Sequence, residues 1–202
     1  MKREEKNQQM RRRILDSALE EFAKQGYGAS SINVICNSPD ISKGIVYHYY
    51  ETKDGLYLSC VGECLEQLTA YLQTHVQLDG VSVEEGLGHY FNARSRFFQE
   101  HPLYQRLFCE AVITPPAHLK SAIQKLKAPF DTLNVEILQE LLRPVSLRPH
   151  ISREDVIETF RQFQDFINAS EPPSGRSFDA REYCCHRALD ILLYGVIARE
   201  ET

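Results

Sequence analysis

Apolar residues recur along this chain at intervals of three and four. Ile14, Leu15, Ala18, Leu19 and Phe22 form the first such stripe, the spacing that gathers side chains on one face of an α-helix. Gly26 predicts its C-terminal stop. Ser30 is the predicted N-cap of a short helix carrying Ile32, Ile35 and Cys36. Pro39 disfavours helical geometry at Ser38, so that helix is expected to end near Asn37. Ser42 predicts the start of another short helix, reaching about Tyr49. Thr52 predicts a long one, with the stripe Leu56, Val61, Cys64, Leu65, Leu68, Leu72 and Val76 running to a turn at 79–82. Segments 83–99, 101–113, 117–142 and 152–169 read the same way, with Pro129 as an expected kink or break and Ser152 and Asp155 as a capping box. A loop at 170–177 precedes a last helix over about 178–199. No segment shows strand alternation, so the expected fold class is all-α.

The two short helices are separated by four residues, 38–41, which is the geometry of a helix-turn-helix. The second helix of such a unit enters the DNA major groove. The stretch that would form it, ISKGIVYHYYETKDGL, suits neither a buried core nor an ordinary solvated face. Ser42, Lys43 and Gly44 are short or cationic, and Gly44 lets a phosphate or base edge approach the main chain. Tyr47, His48 and Tyr49 carry hydrogen-bonding groups on rings. Lys53 adds its charge to the positive end of the following helix, a favourable phosphate position.

The run GYGASSINVICNSPDISKGIVYHYYETKDGLYLSCV resembles the DNA-binding region of the TetR family of bacterial transcriptional regulators. The matching positions are Gly26, Tyr27, Ser31, Ile32, Ile35, Ser42, Lys43, Gly44, Tyr47, His48, Tyr49, Lys53 and Leu56, and the resemblance spans about residues 8–60. It departs from the family pattern at Pro39-Asp40, in the turn, and at Val34, Ile45 and Gly55. Ile45 replaces a common threonine and offers an apolar contact, such as a thymine methyl, where the family offers a hydroxyl. The resemblance implies Ser31, Ser42, Lys43, Gly44, Ile45, Tyr47, His48, Tyr49 and Lys53 as the DNA-binding set.

Composition sharpens this picture. The net charge is −5, but residues 1–54 hold nine Lys and Arg against eight Asp and Glu, while the remainder holds fourteen against twenty. A local basic cluster, Arg11-Arg12-Arg13 with Lys2, Arg3 and Lys6 upstream, on an acidic body fits a protein that touches a polyanion at one end. Six cysteines occur without a CxxC pair. Cys60 and Cys64 share a helical face, but no second pair has metal-ligand spacing, so they read as small apolar fillers. A metal- or redox-responsive regulator using Cys and His is the alternative, as is DNA binding without ligand gating. No nucleophile motif or phosphate-binding glycine loop is present, so an enzyme is not expected. No apolar run is long enough to span a membrane and none follows the charged N-terminus as in a secretory signal, so the expected location is cytoplasmic.

The expected domains are 1–54, a three-helix DNA-binding domain, and 55–202, a helical ligand-binding and dimerisation domain. The ring-rich middle suggests a pocket for a small-molecule effector, with Tyr90, Arg94, Phe97, Phe108 and Cys109 as candidates. The resemblance implies a homodimer built from the last two helices. Phe160, Phe163 and Ile167 lie on one of these and Ile191, Leu192, Tyr194, Gly195 and Ala198 on the other, whose run ALDILLYGVIA is apolar on nearly every side. The expected function is a transcriptional repressor that binds a palindromic double-stranded DNA operator and is released by the effector, with no cofactor and no metal.

Overall fold

The computed structural model describes residues 3–36, 41–169 and 187, the side chains of 3, 161 and 163–169 excepted. The described residues form eight α-helices: α1 (Arg3–Ala29), α2 (Ile32–Ile35), α3 (Lys43–Tyr49), α4 (Lys53–His75), α5 (Val83–Glu100), α6 (Pro102–Ile113), α7 (Lys120–Leu142) and α8 (Arg153–Ala169). A single 3₁₀ turn, Ala117–Leu119, leads into α7. No β-strand occurs among the described residues, in agreement with the all-α expectation.

The predicted punctuation is mostly where the sequence puts it. Gly26 leaves helical geometry inside α1, with φ 74° and ψ 166°, a conformation nearly reserved for glycine. Ser42 caps α3, accepting from Ile45 N at 3.3 Å, and Thr52 opens α4, accepting from Gly55 N at 3.0 Å. Gly55 therefore keeps this cap without the acidic residue of the family pattern. The capping box of α8 is complete in both directions. Asp155 N donates to Ser152 Oγ at 3.0 Å, and Ser152 N donates to Asp155 Oδ2 at 3.0 Å. Ser82 and Glu85 form a second box at the start of α5.

Three boundaries differ from expectation. Ser31, not Ser30, caps α2, accepting from Asn33 N at 3.2 Å, while Ser30 is buried and its hydroxyl donates back to Tyr27 O at 2.8 Å. The helix from Lys53 stops at His75, before the expected turn at 79–82, and Thr74 Oγ1 donates within its last turn, lying 2.9 and 3.1 Å from the carbonyls of Tyr71 and Ala70. At Pro129, where a kink or a break is expected, the break does not occur, because α7 runs through it. The helix expected over 178–199 falls outside the described residues.

The chain divides into two compact units, Met1–Gln67 with Phe98–Ala128 and Leu68–Phe97 with Pro129–Thr202. The core of the first is built from Ile14, Ala18 and Phe22 of α1, Leu56, Tyr57, Cys60 and Val61 of α4, and Leu107 of α6. Phe22 and Tyr57 meet edge to face at 5.1 Å. In the second unit Tyr71 packs against Phe97 at 5.3 Å. A Cβ at Gly86 would sit 2.2 Å from Leu141 Cδ2, so glycine there permits the approach of α5 to α7. Arg153, at the start of α8, donates to the carbonyls of Leu142, Arg143 and Val145 at 3.2, 3.1 and 3.2 Å and closes the end of α7.

Candidate nucleic-acid interface

A four-residue helix cannot sustain itself, because helix nucleation costs more than one turn of hydrogen bonds returns. α2 is held by α1 at both ends. Glu21, itself buried, accepts from Ser31 N at 2.9 Å, and Ser17 Oγ donates to Ile35 O at 3.0 Å. Ile32 and Ile35 point into the core, which leaves Asn33 and Val34 exposed.

α3 is anchored by Ile41, Val46 and Tyr50, all buried. Ser42, Lys43, Gly44, Tyr47 and His48 are exposed, and Ile45 and Tyr49 are half-buried. The side chains of Lys43, Tyr47 and His48 make no hydrogen bond or ion pair among the described residues. A Cβ at Gly44 would meet nothing nearer than Ser42 Oγ at 4.0 Å, so the fold itself does not require glycine there. The two large apolar side chains most open to solvent among the described residues are Val34, 48% exposed, and Tyr47, 41% exposed. Both belong to this helix pair.

A groove of about 530 Å³ runs along α3. Ser42, Gly44, Ile45, His48 and Tyr49 form one wall, and Lys6, Asn7 and Met10 of α1 form the other. The Tyr49 hydroxyl donates to Asn7 Oδ1. Sequence reasoning placed Lys6 only in a general basic cluster, and nothing in the sequence singled out Asn7 or Met10.

Two basic residues expected near the interface are engaged internally. Lys53 Nζ donates to Ser30 O at 2.7 Å and lies 4.7 Å from the Tyr27 ring centre. Arg12 pairs with Asp16 and with Glu63, the latter at 2.7 Å, and Glu63 also accepts from the Tyr104 hydroxyl. The hydrogen bond to Asp16 raises the Arg12 pKa further, so its charge is permanent. Arg11 lies over the Tyr50 ring at 5.8 Å.

Elsewhere in the first unit, Tyr27 joins four of its segments. Its backbone N–H donates to Glu110 Oε1 at 2.7 Å, and Tyr57 donates to Glu110 Oε2 at 3.1 Å. The Tyr27 hydroxyl donates to Asp54 and lies 3.2 Å from His118 Nε2. Burial, and then the hydrogen bond to Asp54, pushes the Tyr27 phenol up to about 12, so it stays a donor. The same bond, with His118 beside it, holds the Asp54 carboxyl below its usual range.

The candidate effector residues are distributed over both units. Tyr90 and Phe97 are buried in the second, where Tyr90 donates to Asn134 Oδ1 at 2.8 Å and Arg94 lies 5.9 Å from the Phe130 ring centre. Asn134 is 4% exposed, and its Nδ2 has no hydrogen-bond partner among the described residues. Phe108 and Cys109 belong to the first unit, where Phe108 packs on Phe98 at 5.1 Å. Of the expected dimer residues, Phe160 is buried. The side chains of Phe163 and Ile167, and all of Ile191, Leu192, Tyr194, Gly195 and Ala198, lie outside the described residues. Among the described residues no three His, Cys, Asp or Glu gather to hold a metal, and no helix is long and apolar enough to cross a membrane. Burial pushes the Cys60 thiol up to about 12 and Cys64 higher still, the opposite of a reactive or metal-binding thiolate.

Residues 14–60 match the family model of the bacterial regulatory proteins, tetR family. Over 162 residues the chain is 26% identical to the biofilm operon icaADBC HTH-type negative transcriptional regulator IcaR of Staphylococcus epidermidis, covering 79% of this chain and 77% of that protein. It is 24% identical over 149 residues to the HTH-type transcriptional repressor KstR of Mycolicibacterium smegmatis, covering 74% and 72%. Among solved structures, the transcriptional regulator FadR of Bacillus subtilis, crystallised with stearoyl-CoA, aligns with a TM-score of 0.69 at 15% identity, over 91% of this chain and 97% of that one.

Proposed function

We propose, from the family match over residues 14–60 and the similarity to IcaR, that this chain is a TetR-family repressor whose α3 reads a palindromic operator in the major groove as a homodimer. One observation carries this reading. α3 is fastened from one side by Ile41, Val46 and Tyr50, while Ser42, Lys43, Gly44, Tyr47 and His48 face solvent. Lys43 suits a phosphate or a guanine edge, Ser42 and His48 suit phosphates or base edges, and Ile45 and Tyr47 supply apolar surface for a thymine methyl or a sugar. Ser31 serves mainly to cap α2, and Lys53 divides its three donors between Ser30 O and the DNA. Two copies are needed because twofold half-sites lie one helical turn, about 34–36 Å, or a multiple apart. The protein acts where its operator is, in the cytoplasm, and no step of this role requires catalysis.

The effector reading rests on the second unit. Tyr90, Arg94 and Phe97 supply rings and a cation, and the buried amide of Asn134 lacks an acceptor among the described residues. A small, largely apolar molecule with a carbonyl or carboxylate end would complete that hydrogen bond. Ligand and DNA then weaken each other reciprocally, as linked equilibria require. The stearoyl-CoA held by the FadR of similar fold belongs to the same amphipathic class. The raised thiol pKa values of Cys60 and Cys64 weigh against a metal or redox signal.

Selection of genomic fragments by the purified protein, followed by footprinting, tests the reading. A protected palindrome with half-sites in helical phase is the expected result. Weak, salt-sensitive binding to all fragments alike would overturn sequence-specific repression.

A further inference from the structure

The groove beside α3 has a second wall that the reading above does not use. Lys6 is exposed and makes no ion pair or hydrogen bond among the described residues. No carboxylate lines the groove, although Glu4 and Glu5 precede Lys6 in the first turn of α1. Asn7 accepts the Tyr49 hydroxyl proton through Oδ1, which leaves its Nδ2 as a donor on the groove wall. Met10 and Ile45 supply the apolar part of the lining. A cation, an amide donor, an imidazole from His48 and two apolar side chains are what a sugar–phosphate strand requires of its binding surface. Phosphate oxygens accept hydrogen bonds and deoxyribose presents an apolar face.

We propose that this groove seats one sugar–phosphate strand flanking the bases that α3 reads, with Lys6 on a phosphate and Asn7 as the residue that positions Tyr49. The proposal rests on the assignment of α3 as the recognition helix and extends the DNA-binding surface to the first two turns of α1. Tyr49 then acts through its ring, held in place by Asn7, and its hydroxyl proton is spent within the protein.

The test is equilibrium binding across a range of salt concentrations, using a mixed-sequence duplex of about three helical turns and the selected operator. The full chain is compared with Lys6→Ala, Lys43→Ala, Asn7→Ala, Tyr49→Phe and the double variant Asn7→Ala/Tyr49→Phe. Lys6→Ala is expected to bind both duplexes several-fold more weakly and to reduce the salt slope by about 0.9, the share of one phosphate contact. Its melting temperature should stay at the parent value, since the side chain makes no internal bond. Asn7→Ala should lose at least as much affinity as Tyr49→Phe, and the double variant should lose no more than Asn7→Ala alone. An unchanged slope for Lys6→Ala beside a reduced slope for Lys43→Ala overturns the α1 wall while leaving α3 as the reading helix. Unchanged slopes for both variants overturn the recognition-helix assignment and the proposal with it. Additive losses for Asn7 and Tyr49 overturn the positioning role.

Discussion

Two regions of the first unit, which carries the candidate DNA-binding head, treat their polar groups in opposite ways. Around Tyr27, hydroxyl, backbone N–H, carboxylates and ammonium are matched to one another: Glu110 takes two donors, Asp54 takes the phenol, and Lys53 holds Ser30 O. On the outer side of α3, Lys43, Tyr47 and His48 make no such bond among the described residues, and Gly44 borders open space. The difference separates side chains that bond within the fold from side chains left to solvent. Side chains satisfied internally have fewer donors left for DNA, whereas the exposed set adds little to the stability of the head and has the chemistry that the proposed DNA contact needs.

Gly26→Ala should give the largest effect, and on the inner side only. A side chain there must adopt φ 74°, and its Cβ would lie 2.9 Å from Glu110 Oε1. A loss of about 1–3 kcal/mol is expected, visible as a lower melting temperature or denaturant midpoint. Unchanged stability would show that the Tyr27–Glu110 bond does not constrain the head.

Gly44→Ala should act on the outer side only. Alanine is favoured over glycine in a helix by roughly 0.5–1 kcal/mol, so the free protein should be equally or more stable. Operator affinity should fall, because the added methyl separates the main chain from DNA. Retained affinity would remove the close approach from the recognition mode.

Lys53→Ala distinguishes the two sides within one residue. Loss of its bond to Ser30 O should cost about 1 kcal/mol of stability, and loss of a phosphate contact should lower the salt slope by about one. Reduced stability with an unchanged slope would assign Lys53 wholly to the inner network.

The smallest effect concerns pH. Asp54 has a folded pKa below its ordinary value, held there first by the Tyr27 hydroxyl and then by His118. Such a group contributes stability above the ordinary carboxylate range and loses it as pH falls through the folded value. Asp54→Asn should therefore lower the melting temperature slightly near neutrality and narrow its gap to the parent protein as pH falls into the acid range. A constant gap would mean that the lost group does not act through its charge.

Much of this protein is determined by spacings of four residues or fewer, and those are legible in the sequence. The stripe Ile14 to Phe22, the interruption at Gly26, the caps Ser42 and Thr52 and the box Ser152–Asp155 are all local devices, and each appears where its spacing puts it. The exposed set on α3 was legible too, since short and polar ring residues in a helix bounded by Ile41 and Tyr50 have no use in a core. What the tertiary structure decided depends on partners distant in the chain. Glu21 supports Ser31 N, so that Ser31 caps α2 and Ser30 turns back to Tyr27. Arg12 is taken by Glu63 and Lys53 by Ser30, and Asn7 meets Tyr49 across 42 residues. A local pattern sets which face of a helix is buried. Which donor a long, flexible side chain reaches is set only when packing brings two such faces together.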